Sequence, residues 1–153
     1  MSQLKNPLLN QVTSLHSIKR VHILGVAGTL MGAFACFLRR QGIWVSGSDE
    51  NVYPPMSDVL KAQQITVYRG YDPSHVDQSR PDLVVIGNVI RKENPEAQHV
   101  LSKGLKYCSL PQFMEDYLLQ KTHNIVVAGT HGKTTTSAML THVLRETGRD
   151  PSY

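Results

Sequence analysis

Cysteine is scarce in this sequence: two residues, Cys36 and Cys108, among 153. Two thiols cannot make a disulfide scaffold. Cys36 falls in an apolar helix pattern and Cys108 in a short strand-like run, so two buried, reduced thiols are expected. The seven histidines never combine with them at a metal-ligand spacing, which excludes a structural zinc site. No apolar run approaches the roughly 20 residues that a membrane span requires. Residues 1–16 lack the apolar centre of a signal peptide and read as a polar, poorly ordered tail. Also missing is a basic stripe interleaved with aromatics. The net charge is +4, but the basic residues come as isolated pairs, Lys19-Arg20, Arg39-Arg40 and Arg91-Lys92. Neither nucleic acid nor a membrane is therefore an expected partner, and a small phosphorylated ligand accounts for the sign of the charge. Internal repeats and low-complexity segments are absent as well.

What remains is a cytoplasmic-type soluble composition, 41% hydrophobic and 18% charged, in a length that suits one ordinary domain. Strand-like and helix-like segments alternate along it. Short apolar strands are expected at 21–25, 43–46, 65–68, 83–86, 105–109 and 124–128. The 83–86 run, Leu-Val-Val-Ile, has no alternation, as befits a strand buried on both faces of a parallel sheet. Helices are expected at 28–40, with Leu30, Phe34, Phe37 and Leu38 on or near one face, and at about 57–63, 94–103, 111–119 and 133–146. Asn94-Pro95-Glu96 combines a cap, a first-turn proline and an acid. Gly70-Tyr71-Asp72-Pro73 reads as a turn. Alternation of this kind implies right-handed βαβ units and an α/β fold, an open parallel sheet flanked by helices.

Two loops carry the chemistry. Gly25-Val26-Ala27-Gly28-Thr29-Leu30-Met31-Gly32 joins the first strand to the first helix. It departs from G-x-G-x-x-G, yet glycines there let backbone approach a diphosphate while the helix directs its N-terminus at it. Asp49 ends the second strand about 20 residues after Gly28, the offset at which an acid meets a ribose hydroxyl. Close helix–strand packing alone would also use such glycines. A dehydrogenase binding NAD is a further reading, disfavoured by the irregular loop and by the second loop.

That second loop is Gly129-Thr130-His131-Gly132-Lys133-Thr134, set between an apolar strand and a helix. It is a shortened phosphate-binding loop. Backbone N–H groups face the anion, Lys133 reaches the terminal phosphates, and Thr134 is placed for Mg²⁺. A lysine at a helix start opposes the helix dipole unless an anion offsets it. The acid that such enzymes use to orient Mg²⁺ is not evident. Asp82 precedes its strand and so lies at the wrong end, and Asp49 belongs to the first loop. Few residues follow Thr136, so the loop stands where a nucleotide-binding domain is expected to be starting.

With both loops present, the chain resembles the Mur ligase family, ATP-dependent amide-bond ligases of peptidoglycan assembly. The resemblance covers essentially 21–153. It implies a tail at 1–20, a Rossmann-like UDP-substrate-binding domain at 21–119, and from 120 to 153 a joint followed by a truncated P-loop ATPase domain. The loop Gly129-Thr130-His131-Gly132-Lys133-Thr134-Thr135 matches the family's G-T-x-G-K-T-T. Gly47-Ser48-Asp49, Tyr53-Pro54-Pro55-Met56, Gly70-Tyr71-Asp72-Pro73 and Gly87-Asn88 before Asn94-Pro95 resemble a subset of the family. Its members join UDP-N-acetylmuramate to the murein tripeptide L-alanyl-γ-D-glutamyl-meso-diaminopimelate through an acyl phosphate. The resemblance implies ATP and Mg²⁺ as cofactors and Lys133 as the catalytic residue. Gly129, Thr130, His131, Gly132, Lys133, Thr134 and Thr135 would bind ATP, with Thr134 on Mg²⁺. Gly28, Thr29, Met31, Asp49 and Asn88 would contact the UDP substrate, and the peptide would bind mainly elsewhere. Members adding L-alanine to UDP-N-acetylmuramate are the nearest alternative, and a non-catalytic nucleotide-binding module is another. The part present is expected to be inactive alone.

Overall fold

Residues 15–120 and 122–151 are described by the structure, a computed structural model. The chain divides into two compact units between 120 and 121. Of the expected tail, residues 1–14 lie outside the described residues. Leu15–Ser17 forms a 3₁₀ turn, and the first strand already begins at Arg20.

The first unit is an α/β sandwich. Its elements run β1 (Arg20–Leu24), α1 (Thr29–Arg40), β2 (Trp44–Asp49), α2 (Met56–Ala62), β3 (Thr66–Arg69), α3 (Pro73–Ser79), β4 (Leu83–Ile86), α4 (Pro95–Ser102), β5 (Tyr107–Ser109) and α5 (Leu110–Phe113). A π-helical segment, Met114–Leu119, continues α5. The five strands form one parallel sheet in the order β3-β2-β1-β4-β5. Successive crossovers run outward from β1 to β3, then return to place β4 on the other side of β1.

Strand alternation divides the core. Val21 and Ile23 of β1 and Val85 of β4 join Phe34 and Leu38 of α1 and Phe113 of α5. Phe34 meets Phe113 edge to face at 4.9 Å. On the other face Leu24 and Val84 pack with Val76 of α3 and Ala97 and Val100 of α4. Both cysteines are free and buried, as expected.

Three sequence expectations change. Leu30 does not face the core: it is 66% exposed, while Met31, Phe34, Ala35 and Leu38 are buried. The helix starts at Thr29, so the inward stripe runs through Met31 at intervals of three and four. Residues 73–79, read as turn and connection, form α3. Its signal was the same as that of α4: Asp72 caps through its side chain to Ser74 N–H, and proline follows. The expected strand at 124–128 is not formed. A strand is a ladder, and no other described segment of the second unit is a strand to pair with it. That unit consists of an irregular stretch, the glycine–lysine loop, and α6 (Lys133–Glu146).

Candidate functional site

A parallel sheet puts every strand's C-terminal end at one edge. The switch point, between β1 and β4, opens a crevice there. The loop after β1 enters it. Gly25 turns at φ 82°, a conformation open to glycine, and its N–H, like that of Val26, donates to the Ser48 carbonyl. Gly28 is the N-cap of α1 and offers no side-chain cap. The first helical bond is donated by Gly32 to Gly28, so the amides of Thr29, Leu30 and Met31 have no partner within the helix. Gly28, Thr29 and Leu30 are exposed, and no acid occupies the first turn. This is an amide-lined helix end suited to an anion. Met31 can contribute its backbone only, because its side chain is packed in the core.

Asp49 stands at the end of β2, 9% exposed. Its Oδ2 accepts from Ala27 N–H at 2.9 Å and its Oδ1 from Asn51 N–H at 2.9 Å. It therefore pins the glycine loop to β2, and only its remaining lone pairs are available to a ribose. Asn88 follows β4 and is exposed at the same edge, beside the 84% exposed Val89. Tyr71, half-buried after β3, has its phenol pushed upward by burial, with the charges of Asp49, Glu50 and Glu96 adding to the effect. It stays protonated and can donate.

The structure thus brings Gly28, Thr29, Met31, Asp49 and Asn88 to one sheet edge. A depression of about 480 Å³, lined by residues including Asp82, Leu83 and Lys106, opens at the opposite edge. Asp82 there accepts from the Lys19 and Arg20 amides, so its carboxylate is structural and, as expected, lies at the wrong end for a metal.

Residues Gly129 to Thr135 form the other candidate, in the second unit. Gly132, at φ 77°, is the N-cap of α6, again with no side-chain cap. The Lys133 ammonium turns back into the loop, donating to the carbonyls of Gly129 at 2.8 Å and Thr130 at 3.4 Å. Thr130, His131, Thr134 and Thr135 are exposed around the same helix start. Free amides, an ammonium and hydroxyls at one point fit a polyphosphate. Toward a divalent cation the fit is thin: Thr134 offers one hydroxyl, and no cluster of three or more histidine, cysteine or acidic residues occurs among the described residues.

Sequence reasoning missed a polar web below the first unit's ligand edge. His22, Ser46, Ser48, Ser79 and Glu96 are all buried there, with His75 beside them. The one available signal was a histidine inside the apolar run Val21-His22-Ile23-Leu24.

Fold and edge together define a doubly wound, Rossmann-type α/β protein, to which a second unit adds a phosphate-loop pattern. The chain belongs to the Mur ligase family: the model described as "Mur ligase family, catalytic domain" matches residues 20–122, and so covers the first unit and stops before Gly129. It is 47% identical over 134 residues to the UDP-N-acetylmuramate--L-alanyl-gamma-D-glutamyl-meso-2,6-diaminoheptandioate ligase of Escherichia coli K12, covering 88% of this chain and 29% of that protein. It is 36% identical over 145 residues to the UDP-N-acetylmuramate--L-alanine ligase of a Psychrobacter species, covering 95% and 30%. The solved murein peptide ligase of Neisseria meningitidis superposes with a TM-score of 0.79 at 43% identity, over 86% of this chain and 40% of that one. The chain thus spans about 29% of the length of the curated murein peptide ligases it matches. Among the described residues no helix is long and apolar enough to cross a membrane.

Proposed function

We propose that this chain is the nucleotide-sugar-binding portion of a cytoplasmic ATP-dependent amide-bond ligase. Its substrate is UDP-N-acetylmuramate, and the whole protein joins it to L-alanyl-γ-D-glutamyl-meso-diaminopimelate. The observation that carries this reading is the uncapped N-terminus of α1 at the switch point, walled by Asp49 and Asn88. Gly28, Thr29 and the Met31 amide receive the diphosphate, Asp49 the ribose or uracil, and Asn88 the sugar side. The tripeptide is favoured over L-alanine by the higher identity to the relatives that use it, 47% against 36%.

ATP belongs to the second unit, where Gly129, Thr130, His131, Gly132, Thr134 and Thr135 would cradle phosphates and Thr134 would supply a hydroxyl to Mg²⁺. ATP provides the phosphoryl group that activates the substrate carboxylate as an acyl phosphate. Lys133 is the catalytic residue on this reading: its ammonium, held in the loop at the start of α6, would neutralise the charge that develops on a transferred phosphoryl group. The peptide amine then attacks, and phosphate leaves. On this reading the portion present would be inactive in ligation by itself.

Calorimetric titration with UDP-N-acetylmuramate, ATP and NAD tests the reading. Saturable binding of the UDP-sugar and silence toward NAD are expected. Binding of NAD with no response to the UDP-sugar would overturn it. In the whole protein, turnover with the tripeptide should exceed turnover with L-alanine; the reverse order selects the L-alanine ligase.

A further inference from the structure

The buried polar web plays no part in the reading above, yet it lies directly beneath the crevice. Its proton positions follow by elimination. Ser79 Oγ donates to the His75 carbonyl at 2.7 Å, and Ser46 Oγ donates to Ser79 Oγ at 2.9 Å. Ser46 has one hydroxyl proton, so at its 2.8 Å contact with His22 Nδ1 it must accept. His22 therefore carries a proton on Nδ1, and its Nε2 faces Ser48 Oγ at 3.2 Å and Glu96 Oε2 at 3.5 Å. Glu96 is fully buried. Its Oε1 accepts from Asp72 N–H at 3.0 Å and lies 2.7 Å from His75 Nδ1, which donates. Its Oε2 has no hydrogen-bond partner.

A buried carboxylate with an unpartnered oxygen is strongly disfavoured unless a cation stands against it. A second proton on His22, at Nε2, supplies that cation and points at Oε2. A doubly protonated His75, which keeps its donor on Oε1, supplies it from the other side, and its ring is stacked on Tyr68 at 4.5 Å. The titratable groups facing the web are His22 from β1, Tyr68 from β3, Tyr71 and Asp72 from the following loop, His75 from α3 and Glu96 from α4. From β2 it receives only the hydroxyls of Ser46 and Ser48. Burial raises the Glu96 carboxyl, but the polar groups set around it, His22 and Ser48 foremost and His75 as well, outweigh burial and hold the group ionised.

The attachments of Glu96 belong to different walls of the crevice. Asp72 ends the loop after β3, and His75 follows in α3. His22 lies in β1, the strand that feeds the glycine loop. Glu96 itself begins α4, where the loop bearing Asn88 ends. We propose that Glu96 is a positioning residue of the substrate crevice, holding the loops after β3 and β4 in binding geometry while the His22–His75 pair carries a proton. This rests on the reading of the crevice as the nucleotide-sugar site.

Two measurements test it. Nitrogen-15 NMR across about pH 5 to 8, the range in which imidazoles titrate, follows His22, His75 and the Asp72 amide without any ligand. The three should shift together, and Glu96→Gln should uncouple the amide from the rings. Calorimetry over the same range should show wild-type affinity for UDP-N-acetylmuramate falling about tenfold toward high pH, as loss of one proton coupled over a single pKa unit gives. Glu96→Gln should bind weakly with a flat profile. His75→Gln, at a partly exposed position, serves if that variant does not fold, and should also flatten the profile. An Asp72 amide that ignores the imidazoles overturns the proposal, as do variants with the wild-type affinity and profile. If the wild-type protein binds no UDP-sugar at any pH, the functional reading fails, and the coupling between amide and rings still decides the role of Glu96.

Discussion

Gly47 shows how tightly single residues are specified here. A Cβ at this position in β2 would lie 2.5 Å from Val26 Cβ and 2.6 Å from the Ile23 carbonyl oxygen. The first neighbour belongs to the glycine loop and the second to β1, the strand paired with β2. Neither can retreat without breaking the ladder or the loop. Gly47→Ala should therefore cost about 3 kcal/mol, the upper part of the usual overpacking range, read as a lowered urea midpoint. A midpoint within error of wild type would show that the loop yields. Cys108 makes a second case. Burial, with the charge of Asp116 adding, pushes its thiol up to about 12. The reactive thiolate is then negligible near neutrality. Native protein should resist iodoacetamide at Cys36 and Cys108, and both should label in denaturant; rapid labelling of native Cys108 would contradict its burial. At this scale the first glycine loop was legible, because glycines and an acid at a fixed offset describe a local shape. Asp49 was found by its spacing, but its two backbone partners were not, since they arise from where the loop folds back. The His22–Glu96 pair was invisible, because its members meet only once α4 is laid over β1.

Among the elements, α4 illustrates a cap that does two jobs. The Asn94 side chain accepts from Glu96 N–H at 3.0 Å and Ala97 N–H at 3.1 Å. Asn94→Ala should destabilise the protein by about 1 kcal/mol. It should also disturb the polar web, because the first turn of α4 carries Glu96. The pH dependence of this turn has a definite sign. The Glu96 carboxyl is depressed, so its stabilisation is present above the ordinary carboxylate range and is lost as pH falls through its lower folded value. Amide exchange in α3 and α4 should rise on acidification before exchange in β1 does, and Glu96→Gln should remove that difference. A parallel rise in all three elements would count against the assignment. The same grammar explains what was readable. Asn94-Pro95-Glu96 announced α4, whereas Asp72-Pro73-Ser74, equally good as a start, was passed over because α3 has one apolar anchor, Val76, and shows no periodicity. β4 was legible from its unbroken apolar run. The strand expected at 124–128 had similar chemistry and failed, because strand structure needs a neighbour that a local pattern cannot supply.

Across the whole molecule, the two glycine loops belong to separate compact units. The Lys133 ammonium is engaged by carbonyls of its own loop. Lys133→Ala should therefore leave affinity for UDP-N-acetylmuramate unchanged while abolishing any response to ATP; equal loss of both would show that the units share one site. Their internal stability should also differ. The first unit encloses two apolar clusters across a five-stranded sheet. In the second, Thr141 is the one buried residue of α6, and Ile125, Val126, Met139 and Val143 are 53%, 84%, 66% and 56% exposed. Little apolar burial offsets the entropy of ordering this segment, and an isolated helix of 14 residues is marginal in water. Amides at 124–128 have no ladder and those of α6 have little packing, so both should open locally at far lower cost than β4. Hydrogen exchange followed by mass spectrometry should show rapid exchange at 124–128, weak protection in α6 and strong protection at Leu83–Ile86. Addition of ATP should slow exchange at Gly129 to Thr135 and α6 and leave β4 as it was, because phosphates would occupy the amides at that helix start. Protection of α6 equal to that of β4 without nucleotide would mean that its apolar face is covered in solution, and would refute the argument from burial.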